Sequence, residues 1–222
     1  MSLRDGDITE YRVLERRFYL SRAVTLAREL LGMILVRRLP EGITAGRIVE
    51  TEAYAGPLDA ACHSYGRTTQ DPLHRTSAMF EAGGHAYVYL IYGMYHCFNV
   101  SANAPGEPEA VLIRALEPTD GLPLMASRRG VEERELTRES GLKKLCGGPG
   151  KISMAFSIAS DCNGMDLTLG GSLFIVQGER PQDSEVQATP RINVNYAGEA
   201  ALYPYRFVIA RSAYLSTRMY LP

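Results

Sequence analysis

The chain has no tryptophan and, among 24 cationic side chains, only three lysines. It also has no apolar run approaching ~18 residues, the length a membrane-spanning helix needs, so no such helix is expected. Its first residues, MSLRDGDITEYRVLERR, carry charges where a secretory signal needs an apolar core. The expectation is an intracellular, cytoplasmic protein. The cysteines at 62, 97, 146 and 162 form no CxxC pair. That gives no sign of a zinc knot or a thioredoxin-type site, and they read as reduced, buried thiols. HExxH is absent, and the four histidines, at 63, 74, 85 and 96, have unrelated flanks. No metal, no cofactor and no internal repeat are expected. A net charge of −1 does not advertise a nucleic-acid binder.

What is present is an ordinary globular mixture, 45% apolar and 22% charged, long enough to bury a core without disulfide staples. The 21 arginines are unevenly spread. Residues 122–151 hold seven basic and four acidic side chains, residues 191–222 hold four and one, and residues 161–190 hold one and five. A basic face can therefore lie beneath a neutral total, and the planar guanidinium suits phosphate. The competing explanation is a plain compositional bias towards arginine.

Periodicity predicts a helix after Ser21, which can cap it, with Ala23, Leu26, Ala27, Leu30 and Leu31 on one face and Gly32 at its end. Strands are predicted over 33–39, 43–54, 85–92, 95–102, 110–117, 172–178, 191–197 and 205–211. Residues 55–85 read as a long loop. Residues 118–145 read as helical with breaks at Gly130 and Gly141, and GGPG (147–150) turns into a short helix over 151–159. Regular βαβ alternation is missing, so the fold class is α+β with a mostly antiparallel sheet. No linker or composition break divides residues 1–222, which read as one domain.

Three places can carry chemistry. In RIVETEAYAG (47–56), Glu50, Glu52 and Tyr54 share one strand face, two carboxylates beside an aromatic ring. A solvated edge strand with either glutamate paired to an arginine is the plainer explanation, and periodicity does not choose between the two glutamates. In AYVYLIYGMY (86–95), Tyr87, Tyr89, Tyr92 and Tyr95 crowd nine positions. Tyr87 and Tyr95 read as sheet-face fillers. Tyr92 stands beside Gly93 at a predicted hairpin tip, where an aromatic can wedge into a partner such as stacked base pairs. Finally, Arg114 and Asn99 lie inside apolar strands, where each needs a polar partner. His63 stands in the loop region.

Taken together, RIVETEAYAG, ACHSYG, YVYLIYGMYHCFNV, VLIRALEP and LCGGPGK resemble the alkyladenine (3-methyladenine) DNA glycosylase family, as do FYLSRAVTLARELLGMILVRRL, NYAGEA and YRFVIA. The resemblance spans roughly residues 17–212 in the family's order. It implies one α+β domain with a curved antiparallel sheet, flanking helices and a protruding, DNA-inserting β-hairpin. It further implies a monomeric, metal-free and cofactor-free, monofunctional enzyme of base-excision repair acting on double-stranded DNA. Such an enzyme flips alkylated or deaminated purines from the duplex and hydrolyses their N-glycosidic bond. Carried over by motif, Glu52 is the general base and Arg114 helps hold the attacking water and the DNA backbone. Tyr54, His63, Tyr89 and Asn99 form the base pocket, and Tyr92 fills the gap in the duplex. The loop from Ser64 to Met79 is a few residues longer than usual for the family, with DPLHR in place of a shorter link that contains Arg and Asn. Three other classes compete: a noncatalytic nucleic-acid-binding relative, a helix-hairpin-helix glycosylase suggested by GGPGK, and a carbohydrate hydrolase using Glu50 and Glu52.

Overall fold

The computed structural model describes residues 12–71 and 74–217. Among the described residues eight strands form one antiparallel sheet: β1 (Ile34–Leu39), β2 (Gly42–Tyr54), β3 (Ala86–Ile91), β4 (Tyr95–Ala102), β5 (Glu109–Asp120), β6 (Leu173–Val176), β7 (Val186–Thr189) and β8 (Arg206–Ile209). Along the main path the order is β3-β4-β5-β2-β1-β6. The long strand β2 organises it. One edge pairs with β5, while the other pairs with β1 over residues 42–47 and with β8 over residues 50–52. Register shifts near Ile48 and Glu50 let the strand bend between its two partners, which curls the sheet. β2 is therefore central, and Glu50 and Glu52 do not lie on an edge.

The described residues form five short α-helices, α1 (Arg16–Tyr19), α2 (Ala23–Glu29), α3 (Leu122–Arg129), α4 (Glu139–Cys146) and α5 (Pro149–Ala155), of which α2 to α5 pack against the sheet. No helix among the described residues is long and apolar enough to cross a membrane. The predicted apolar face of α2 holds: Ala23, Leu26, Ala27, Leu30 and Leu31 are all buried in the main core. Complete burial of a leucine there contributes roughly 1.5–3 kcal/mol. The cap differs from expectation. Ser21 makes no capping bond. Glu109, on β5, instead accepts the Ala23 N–H at 2.6 Å and the Arg22 Nε at 3.2 Å. A carboxylate from the sheet thus satisfies the first orphan donor of the helix.

Four further predictions are corrected. β5 runs on to Asp120, so the helical region starts at Leu122 and is split by a 3-10 turn over Glu133–Thr137. Gly130 ends α3 with φ 62°, as expected. Gly141 sits inside α4, because a Cβ there would lie 2.0 Å from the Glu135 carbonyl oxygen. Residues 191–197 are not a strand. Asn193 takes φ 60°, which breaks extended backbone, and a kinked 3-10 segment follows over Asn195–Leu202. β7 arises instead at Val186–Thr189, in a polar stretch that periodicity did not mark.

Candidate active site

Strict alternation along neighbouring strands gives the sheet a core face and a site face. In β5, Val111, Ile113 and Ala115 join the core, while Ala110, Leu112 and Arg114 line a cavity. In β4, Phe98 and Val100 face the core, and Cys97 and Asn99 face the cavity. In β3, Ala86 and Val88 alternate with Tyr87, Tyr89 and Ile91 in the same way. In β2, Val49 and Ala53 are core while Tyr54 lines the cavity. The cavity measures about 440 Å³, within the range of small-ligand sites. Its remaining wall comes from connecting segments: His63 and Met79 from the long loop, Pro149 and Gly150 at the start of α5, and Ile192, Asn193, Val194 and Tyr196. Met79, at the end of the 64–79 loop, brings that loop to the rim; Pro72 and Leu73 within it lie outside the described residues.

Glu52 is fully buried just behind this wall. Its Oε2 accepts the Tyr54 hydroxyl at 3.0 Å and Arg114 Nη1 at 3.2 Å. Its Oε1 accepts the Ile192 N–H at 2.7 Å. Three of about four acceptor positions are thus filled, leaving one lone pair on Oε1. Glu50, two residues earlier, is more heavily bound, with three bonds on Oε1 and one on Oε2. It accepts Arg206 Nε (2.7 Å), Arg114 Nε (3.1 Å), and both the N–H (2.6 Å) and the hydroxyl (2.8 Å) of Ser216. Burial alone would raise its pKa, but the guanidiniums of Arg206 and Arg114 and the Ser216 N–H outweigh it and hold the carboxyl below its ordinary value. The two glutamates that periodicity left equivalent thus differ: Glu50 ties the chain near Ser216 to the sheet, while all three partners of Glu52 line the cavity, beside which its Oε1 keeps a free position.

Arg114 bridges them. Its Nε goes to Glu50, its Nη1 to Glu52 and its Nη2 to Ser216 Oγ at 3.3 Å. It is only 8% exposed. Burial lowers its pKa, and Glu52 and Glu50 more than reverse that. Each of its three nitrogens donates to a protein acceptor, and one N–H on each Nη is left beyond these bonds.

Tyr54 and Tyr89 both line the cavity, and burial pushes both phenols up, so they stay protonated. His63 lies 4.6 Å from Tyr89, ring centroid to centroid, edge on. Its Nδ1 is 2.9 Å from the Tyr87 hydroxyl. Burial, reinforced by Arg75 and His74, pushes the imidazole down to about 4, so it is neutral at physiological pH. Tyr87, read as a filler, is therefore a cavity residue and His63's partner. Tyr95 lines the cavity as well. Asn99 Nδ2 donates to the carbonyls of Tyr87 (3.0 Å) and Cys97 (3.4 Å), which directs its amide oxygen, not its donors, to the cavity.

Tyr92 sits at the tip of the β3–β4 hairpin, as predicted, and is 75% exposed. Tyr92 has φ 54° and Gly93 has φ 67°, a turn with two left-handed residues. Such a conformation is unusual for a bulky aromatic, and strain of that kind gathers at functional positions. Leu90 and Met94 are exposed beside it.

The seven residues carried over by motif therefore lie on or directly behind one cavity, or at its rim. Residues 17–213 match the methylpurine-DNA glycosylase family. The chain belongs to that family. Its relatives carry the name "Putative 3-methyladenine DNA glycosylase". One, from Methanocella arvoryzae, is 46% identical over 207 residues, covering 93% of this chain and 96% of the relative. Another, from Bacillus cytotoxicus, is 45% identical over 204 residues, covering 90% and 97%. A third, from Desulfitobacterium hafniense, is 40% identical over 205 residues, covering 92% and 98%. The α+β chain is thus a DNA glycosylase of this family, and an all-helical helix-hairpin-helix fold is excluded by its eight-stranded sheet.

The sequence did not reveal Ile192, whose backbone N–H holds Glu52, or Tyr196 at the rim. A backbone donor leaves no trace in residue identity, and the sequence pattern of the segment carrying both, residues 191–197, is that of a strand.

Proposed function

We propose that this chain is a monofunctional glycosylase that hydrolyses the N-glycosidic bond of alkylated and deaminated purines rotated out of double-stranded DNA into the 440 Å³ cavity. The observation that carries this is the Glu52 carboxylate, fixed by Tyr54, Arg114 and the Ile192 N–H with one acceptor position open beside the cavity. In this reading a water on that position gives its proton to Glu52 as it attacks C1′, and the carboxylate charge stabilises the oxocarbenium-like sugar. Purines alkylated at N3 or N7 are cationic and leave without an acid. Tyr54, His63 and Tyr89 stack on the flipped base, at about 1–3 kcal/mol per base. The three lysines, all between positions 143 and 151, lie outside the cavity lining, so none stands where it could form a Schiff base with the sugar. Release of free 3-methyladenine and hypoxanthine from defined duplexes tests the proposal. A noncatalytic DNA-binding relative would release neither.

Tyr92 fills the vacated space in the duplex. Tyr92→Ala should weaken binding to lesion-containing duplex by about 1–3 kcal/mol, the worth of one stacked aromatic. Excision of a lesion that is already unpaired should be spared. A fluorescent base analogue reports the flip, and equal flipping by variant and parent would place the wedge elsewhere.

Asn99 spares normal guanine by bulk. Because its amide hydrogens are held by the Tyr87 and Cys97 carbonyls, donor-against-donor repulsion of the 2-amino group plays no part. Asn99→Ser should raise the excision ratio of 7-methylguanine to hypoxanthine. It should also cost about 1–3 kcal/mol of stability, since a buried carbonyl loses its donor. An unchanged ratio with a lowered melting temperature would make Asn99 a purely structural residue.

A further inference from the structure

Arg191 stands outside the cavity wall, yet it touches three parts of the site at once. Its side chain is completely buried. Nη1 donates to Asp59 Oδ2 at 2.5 Å and to the Ala53 carbonyl at 2.8 Å, and Nη2 donates to Asp59 Oδ1 at 2.8 Å and to the Ala200 carbonyl at 2.9 Å. Asp59 in turn accepts the N–H groups of Ala55 and Ala61, both at 3.0 Å. The pair therefore pins the loop between Tyr54 and His63 to the segment that follows β7. The residue after Arg191 is Ile192, whose N–H holds Glu52 Oε1. The guanidinium also lies 4.9 Å from the centroid of the Tyr54 ring. Since Tyr54 lines the cavity and Arg191 does not, the cation covers that ring from the protein side.

We infer that Arg191 is a positioning residue of the pocket: clamped by Asp59, it seats the Ile192 amide on Glu52 and, from behind Tyr54, weights the pocket towards neutral bases and away from cationic ones. The inference rests on the glycosylase reading above and adds a determinant of substrate class to it. An aromatic ring attracts a cation through the negative potential of its face. A guanidinium already on one face draws on that potential, and its own charge repels a second cation approaching the other. A neutral purine such as hypoxanthine stacks without that penalty. Selectivity is a difference between two substrates, so a cation outside the pocket can set it without touching either.

The test replaces the buried pair as a whole, Arg191→Met with Asp59→Asn, so that no buried charge is stranded. Arg191→Lys keeps the charge but loses the two-pronged clamp. Single-turnover excision of cationic 7-methylguanine and neutral hypoxanthine is measured at saturating enzyme, with melting temperatures alongside. In the double variant hypoxanthine excision should fall about tenfold, because the Ile192 amide is no longer held in place, while 7-methylguanine excision should fall only about one- to threefold. The ratio of 7-methylguanine to hypoxanthine should rise roughly three- to tenfold as the cation behind Tyr54 is lost. In Arg191→Lys both rates should fall while the ratio stays near the parent's. An unchanged ratio in the double variant overturns the inference. So does loss of fold in both variants, which would assign the pair to stability alone. A parent that releases no base at all removes the glycosylase reading itself, an outcome distinct from an active parent with an unmoved ratio.

Discussion

Glu52→Gln should lower single-turnover base release by about 10²–10⁴-fold or more, the contribution of a positioned general base, while leaving lesion-DNA binding largely intact. Glutamine keeps the shape but cannot take a proton from water. It also turns one of its ends into a donor, facing either the Ile192 N–H or the Tyr54 hydroxyl and Arg114. That mismatch costs about 1–3 kcal/mol of stability, so the rate must be read well below the variant's melting temperature. Glu50→Gln is the contrasting control. Its carboxylate accepts four bonds, from Arg206, Arg114 and Ser216, and of these only Arg114 lines the cavity. It should lose more stability than Glu52→Gln and far less chemistry. A full single-turnover rate in Glu52→Gln would sink the mechanism, and a dead Glu50→Gln that is still well folded would reverse the roles of the two glutamates.

That contrast also shows where sequence reasoning stopped. Period-two alternation put Glu50, Glu52 and Tyr54 on one face and marked the hairpin tip at Tyr92, and both placements hold because strand geometry leaves a side chain only two faces. Alternation is blind to what closes the site from outside the sheet. Arg206 and Ser216 reach Glu50 across more than 150 positions. The partner that decides between the glutamates is a backbone N–H on a segment whose run of Ile192, Val194 and Tyr196 mimics a strand. Only the left-handed turn at Asn193 and the burial of Arg191 against Asp59 redirect that segment over the cavity. For the same reason Ser21 was the wrong cap: the carboxylate that holds α2 comes from β5, 86 positions away from Ala23.

Arg114→Met should produce the largest loss of stability among these substitutions. Removing one partner from a buried ionic cluster costs about 3–5 kcal/mol, because the remaining charges stay buried with less compensation. At about 2–4 °C per kcal/mol for a chain of this size, the melting temperature should fall by ~6–20 °C at neutral pH. The loss should depend on pH with a definite sign. In the parent, Glu50 has a depressed pKa, so it contributes stability that is present above the ordinary carboxylate value and is lost as pH falls through its folded value. Without Arg114, one of the two guanidiniums that outweigh burial is gone, and that contribution shrinks. The gap between parent and variant should be widest near pH 7 and should narrow as the pH drops below the carboxylate range, where Glu50 is protonated in either protein. A gap that stays constant as the pH drops from 7 to below the carboxylate range would mean that lost packing, and not charge, is responsible. Binding gives the independent measurement. An arginine on a phosphate contributes about one unit to the slope of log K against log salt. Arg114 spends its three nitrogens on Glu50, Glu52 and Ser216, so the slope for lesion-containing duplex should be the same in variant and parent. A slope flattened by one unit would show that Arg114 leaves these carboxylates for the DNA backbone on binding, and would take with it the argument that it holds Glu52 in place.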